Sequence, residues 1–174
     1  MATLFSRRFT LTCSALVAGV ALAATLFSPQ AQAQNSNSIS QYGDWRTVCK
    51  TQCVMSQGLQ NPENPSIIYS SQISLLNQQQ DPVMQLNLPL GIYLPPGVAI
   101  GIGKLQHQAP VTVCLPEGCK VLVVLTPAMQ QAMQSNAAFS VKLFVSEQTP
   151  REIKFSLRGF SEALASLTVK NGGQ

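Results

Sequence analysis

The sequence predicts an all-β domain, a sandwich or barrel with two short helices closing an end. Three observations carry this. Short segments alternate apolar and polar residues at the period of two that turns one face of a strand toward a core. Clusters of Pro, Gly and Asn separate these segments at short, strand-like intervals. Only two stretches combine a helix start with apolar residues at helical spacing. No internal repeat is visible.

Along the chain, residues 1–10 carry Arg7 and Arg8 and no acid, and residues 11–27, "LTCSALVAGVALAATLF", are apolar or small. Pro29 breaks the run and "AQA" follows at residues 31–33. This is the layout of a secretory signal peptide, cut after Ala33. The alternative is an N-terminal anchor, whose apolar run would sit at the lower limit for spanning a bilayer. "SRRFTL" is loosely similar to a twin-arginine export signal, although two arginines also suit general export. Cys13 departs with the signal. Residues 34–41 read as a polar, flexible leader, 42–168 as the domain and 169–174 as a flexible tail.

Within the domain, "YGDWRTVC" (42–49) reads as a first strand that carries Trp45 into the core, with "CVMSQ" (53–57) as its return partner. "NPENPS" (61–66) is turn material, and "IIYSSQISLL" (67–76) is rich in the β-branched and aromatic residues that strands favour. "NQQQDP" closes that strand and "VMQLNL" (83–88) alternates again. Residues 86–103 carry no charge, as a membrane span would, but Pro89, Pro95, Pro96 and four glycines exclude a helix there. Short strands joined by a turn at "LPPG" (94–97) are expected instead. "TPAMQQAM" (126–133) begins a helix with Thr126 as N-cap and Pro127 at the first position, stacking Met129 on Met133. "FSVKLFV" and "EIKFSL" are alternating strands, and "GFSEALASL" (159–167) puts Phe160, Leu164 and Leu167 on one helix face.

Net charge is +4, and Arg7 and Arg8 leave with the signal, so too little positive charge remains to indicate nucleic acid or an anionic membrane surface. Cys49, Cys53, Cys114 and Cys119 remain in the exported domain, where thiols are oxidised, and they read as disulfides. In "CLPEGC", Leu115 to Gly118 have the chemistry of a tight turn, with Pro second and Gly fourth. That turn makes Cys114 and Cys119 neighbours across a hairpin, and Cys49–Cys53 follows by elimination. Long-range pairing between the two couples is the alternative, as is a four-thiolate zinc site, because both spacings fit a zinc knuckle. Neither spacing nor context fits a thioredoxin-like redox pair.

Catalytic residues are not expected, nor is a cofactor or metal. The single histidine, His107, sits between two glutamines as a solvent-exposed loop residue, and no G-x-S-x-G elbow accompanies it. The acids Asp44, Glu63, Asp81, Glu117, Glu147, Glu152 and Glu162 fall mostly at turns or strand edges. "GVAIGIGK" (97–104) lacks the gap and the hydroxyl residue of a phosphate loop and reads as a strand of small residues.

With "YGDW" leading into a cysteine pair, then "LPLGIYLPPGVAI", "CLPEGCK" and "FSLRGFSEAL" in that order, the chain resembles the invasion-associated locus B family. The resemblance covers nearly the whole domain. It implies an immunoglobulin-like β-sandwich, export by a Gram-negative bacterium and no catalytic residues. It further implies a binding protein of the periplasm or cell surface, with an unknown protein partner in the envelope or on a host cell. An envelope enzyme or redox factor using His107 or the cysteines is the second reading, and a chaperone-like module that caps a strand edge is the third. The glutamine-rich loop at Gln78–Gln80 is a departure from the family pattern that bears on partner contacts.

Overall fold

A computed structural model describes residues 38–76 and 81–171. The expected signal peptide, the first part of the expected leader and the Gln78–Gln80 loop lie outside them. The described residues form β1 (Ser38–Tyr42), β2 (Trp45–Cys49), β3 (Cys53–Gln60), β4 (Ile68–Leu76), β5 (Asp81–Leu88), β6 (Val98–Ile102) and β7 (Leu105–Ala109). After these come β8 (Val113–Leu115), β9 (Gly118–Val124), α1 (Pro127–Ser135), β10 (Ala138–Ser146), β11 (Thr149–Ser156) and α2 (Phe160–Asn171). Among these residues no helix is long and apolar enough to cross a membrane.

Antiparallel pairing arranges the strands as a seven-stranded sheet, β1-β2-β3-β4-β5-β9-β8, and a four-stranded sheet, β11-β10-β6-β7. Alternation explains the layering. Trp45, Met55, Ile73, Met84, Leu86 and Val121 line the inner face of the larger sheet, and all are inaccessible to solvent. Ile100, Val141 and Phe155 from the smaller sheet join the same core, where Phe139 stacks on Phe155 at 5.0 Å. The smaller sheet is too narrow to cover the larger one, and α2 packs over β1 to β4 to complete the second layer. Phe160, Ala163, Leu164 and Leu167 form its buried stripe. The fold is therefore an all-β sandwich with two short helices, as expected.

Local signals behave as their chemistry dictates. Thr126 Oγ1 accepts a hydrogen bond from the Met129 N–H at 3.2 Å, and Met129 and Met133 are buried below it. The "LPPG" turn closes with a bond from the Gly97 N–H to the Leu94 carbonyl at 2.8 Å.

Four expectations are corrected. Residues 42–49 are not one strand: Gly43 (φ 53°) and Asp44 form a hairpin turn, and Tyr42 pairs with Trp45. Residues 38–41 of the expected leader are strand β1, because β2 offers them a pairing edge. Residues 169–171 of the expected tail continue α2. His107 is not in a loop: it lies on β7 opposite Ile100, half-buried, with only its glutamine neighbours turned outward.

Candidate functional site

The residues singled out by sequence divide into structural devices and one open site. Cys49 pairs with Cys53 and Cys114 with Cys119, each couple directly opposite across a hairpin with Cα separations of 4.0 and 3.9 Å. The four sulfurs of the domain thus stand in two local bonds. The two bridges differ in access. Cys49 and Cys53 are buried, whereas Cys114 lies exposed on the edge strand β8. Thiolate attack requires access to sulfur, so mild reductant is expected to open Cys114–Cys119 first, as alkylation and peptide mapping would record. Replacing Cys114 and Cys119 with serine is expected to cost about 2 kcal/mol, the loop-closure value for so short a ring, and to leave the domain folded.

"YGDW" and "LRGF" prove to be two halves of one clasp. The Asp44 N–H donates to the Arg158 carbonyl at 3.0 Å, and the Arg158 guanidinium grips the Asp44 carboxylate at 2.6 and 3.1 Å. Gly43 and Gly159, both at positive φ, bring the two turns into backbone contact. Hydrogen bonds from Arg158, then from Ser156, hold the Asp44 carboxyl below its ordinary value. A depressed folded-state value gives stability that is complete above about pH 3.9 and lost as pH falls through the lowered value. Arg158→Ala is expected to return the Asp44 titration toward the ordinary range and to shift the acid limb of unfolding upward, as carboxyl NMR titration would show.

The open site lies at the end of the sandwich where the β3–β4 loop meets β11. A cleft of about 350 Å³ is bounded by Leu59 to Glu63 on one wall and Arg151 to Lys154 on the other, with Tyr69 at its base. The "NPENPS" loop has a fixed shape. The Asn61 N–H bonds the Ile67 carbonyl at 2.9 Å, and Asn61 Oδ1 accepts from the Glu63 N–H at 2.8 Å, an Asx turn. Asn61 Nδ2 also donates to the Tyr69 hydroxyl at 3.1 Å, which ties the loop to the cleft base. Arg151 reaches across to Glu63 at 3.2 Å. Beyond this ion pair a second hollow of about 240 Å³ continues past Ile67, Leu90, Ile92, Leu143 and Val145. Leu90 and Val145 remain 55% and 43% exposed there.

Of His107 and the seven acids weighed for catalysis, only Glu63 and Glu152 reach this cleft. His107 is on the edge strand β7 and lines none of it, and Asp44 is engaged in the clasp. No sequence motif singles out Tyr69, Arg151 and Ile153, since a turn motif and an alternating strand give no sign that they meet. "LPLGIY" was the available signal, because it leaves Leu90 exposed beside the second hollow.

A family profile described as "Invasion associated locus B (IalB) protein" matches residues 41–168. Among solved structures, the crystal structure of invasion associated protein b from Bartonella henselae superimposes with a TM-score of 0.70 at 22% identity. That match covers 78% of this chain and 99% of the other, and at such identity it is a likeness of fold. No curated protein sequence matches the chain. The profile match takes in the clasp, both stapled hairpins and both walls of the cleft, and the chain belongs to the invasion associated locus B family.

Proposed function

We propose that the protein is an exported, non-enzymatic binding protein of the bacterial envelope, and that the cleft beside β11 holds a segment of a protein partner. The observation that carries this is the cleft's construction. Its loop wall is preset by its own hydrogen bonds, and exposed aliphatic side chains continue it past the ion pair. A preset wall lowers the ordering cost of binding, and exposed aliphatic groups supply the area to bury. A partner on a host cell is the second reading, favoured by the invasion-associated name of the Bartonella henselae protein.

Photo-crosslinking in intact cells tests the proposal. A benzoylphenylalanine at position 60 or 151 is expected to capture a discrete protein adduct, and the same group at Glu162, on the exposed face of α2, is not. Absence of any adduct from the cleft positions, with the protein folded and exported, would overturn the reading. His107→Ala is expected to leave capture unchanged.

A further inference from the structure

We infer that the cleft takes its partner by strand addition: an extended segment pairs with the free edge of β11. This rests on the binding reading above and specifies its mode. Four consecutive residues of β11, Arg151 to Lys154, line one wall. Consecutive side chains of a strand point to opposite faces, so only a cleft running along the strand's backbone edge can meet all four. β11 is the outermost strand of its sheet, and among the described residues no strand pairs with its outer side. The other wall begins with Leu59 and Gln60, the last two residues of β3, and continues as the Asn61–Glu63 loop. β2 pairs with β3 only as far as Ser56, which leaves the far end of β3 open on that side. Two open edges flanking one cleft offer main-chain hydrogen bonds to an added strand, and side-chain contacts then select its sequence. At about 3.4 Å per residue, the lined stretch accommodates a segment of about four residues.

The alternation of β11 sets what that segment must carry. Ile153 is turned inward and is 8% exposed, so the residue beside it is apolar. Glu152 and Lys154 are exposed on the other face. On the paired side Glu152 already faces Lys142, whereas Lys154 faces Ser140 and has no acid opposite it. The vacant side of Lys154 therefore selects an acidic residue, next in sequence to the apolar one. Pro150 and the charged run after it discourage indiscriminate strand pairing at this edge. The Arg151–Glu63 pair spans the mouth, and with side chains 52% and 66% exposed it is weak enough to be displaced.

The probe is the capped peptide Ac-Ser-Glu-Val-Thr-Val-Ser-NH2, titrated into the purified protein and into Glu63→Gln, with amide NMR and hydrogen exchange as readouts. Two control peptides replace its glutamate with lysine, or N-methylate its threonine to remove the N–H that faces Glu152. Saturable shifts confined to the two walls are expected, with at least tenfold slower exchange of an outward β11 amide. The lysine peptide is expected to bind at least fivefold more weakly, and Lys154→Glu to reverse that preference. Equal binding of the three peptides, or unchanged β11 exchange in both protein forms, would overturn strand addition. That failure is distinguishable from failure of the binding reading, since cleft adducts in cells would persist with no protection of β11.

Discussion

Trp45→Ala is expected to destabilise the domain by about 3–5 kcal/mol, the range for deleting a buried aromatic side chain from a core. Trp45 is inaccessible to solvent and meets the Phe160 ring edge-on at 5.6 Å, so its removal opens a void between the larger sheet and α2. Its indole N–H also donates to the Ser156 carbonyl at 3.0 Å, and alanine leaves that acceptor unserved. Trp45→Phe separates the two effects: it keeps most of the apolar volume and loses the donor, so about 1–2 kcal/mol is expected. Urea unfolding followed by circular dichroism is the measurement, because the chain's single tryptophan is the residue removed. An unchanged transition for Trp45→Ala would show that α2 does not seal this part of the core.

How far the sequence discloses this molecule depends on whether the information is local. "CLPEGC", the Thr126–Pro127 helix start and the "LPPG" turn are legible because each is a short-range geometric requirement met by adjacent residues. β1 is not. Its inward residues are Ser38, Ser40 and Tyr42, partly buried under α2, and such a face carries little of the apolar signal that marks a strand. The turn at Gly43–Asp44 is hidden for a related reason, since it interrupts residues that alternate well enough to read as one strand. His107 looks exposed because Gln106 and Gln108 are polar, yet those two face solvent while the histidine turns inward. The cleft is the least legible feature. Its walls come from residues 59–63 and 151–154, which meet because, among the described residues, no strand pairs with the outer side of β11. That is a property of sheet order, which no side chain in either segment announces.

Gly159→Ala is expected to cost about 3 kcal/mol or more, and Gly91→Ala provides its internal control. Both glycines sit at nearly the same positive φ, +83° and +85°. Each alanine therefore incurs the same left-handed backbone penalty, about 1–2 kcal/mol. They differ in surroundings. A Cβ on Gly91 meets nothing within 4 Å, whereas one on Gly159 falls 2.1 Å from the Tyr42 carbonyl oxygen and 2.7 Å from the Gly43 nitrogen. Those neighbours are backbone atoms of the opposing turn, so relief requires the clasp to open, and overpacking of this kind adds about 1–3 kcal/mol. Opening it also separates the Asp44 N–H from the Arg158 carbonyl and loosens the carboxylate–guanidinium contact. Gly43→Ala meets the mirror-image obstacle, with its Cβ 2.4 Å from the Arg158 carbonyl oxygen. The double variant is therefore expected to cost less than the sum of the two, because the second alanine acts on a clasp already open. Equal losses for Gly159→Ala and Gly91→Ala in urea unfolding would show that the two turns are not in contact. The clasp would then contribute nothing to holding α2 against the sheet.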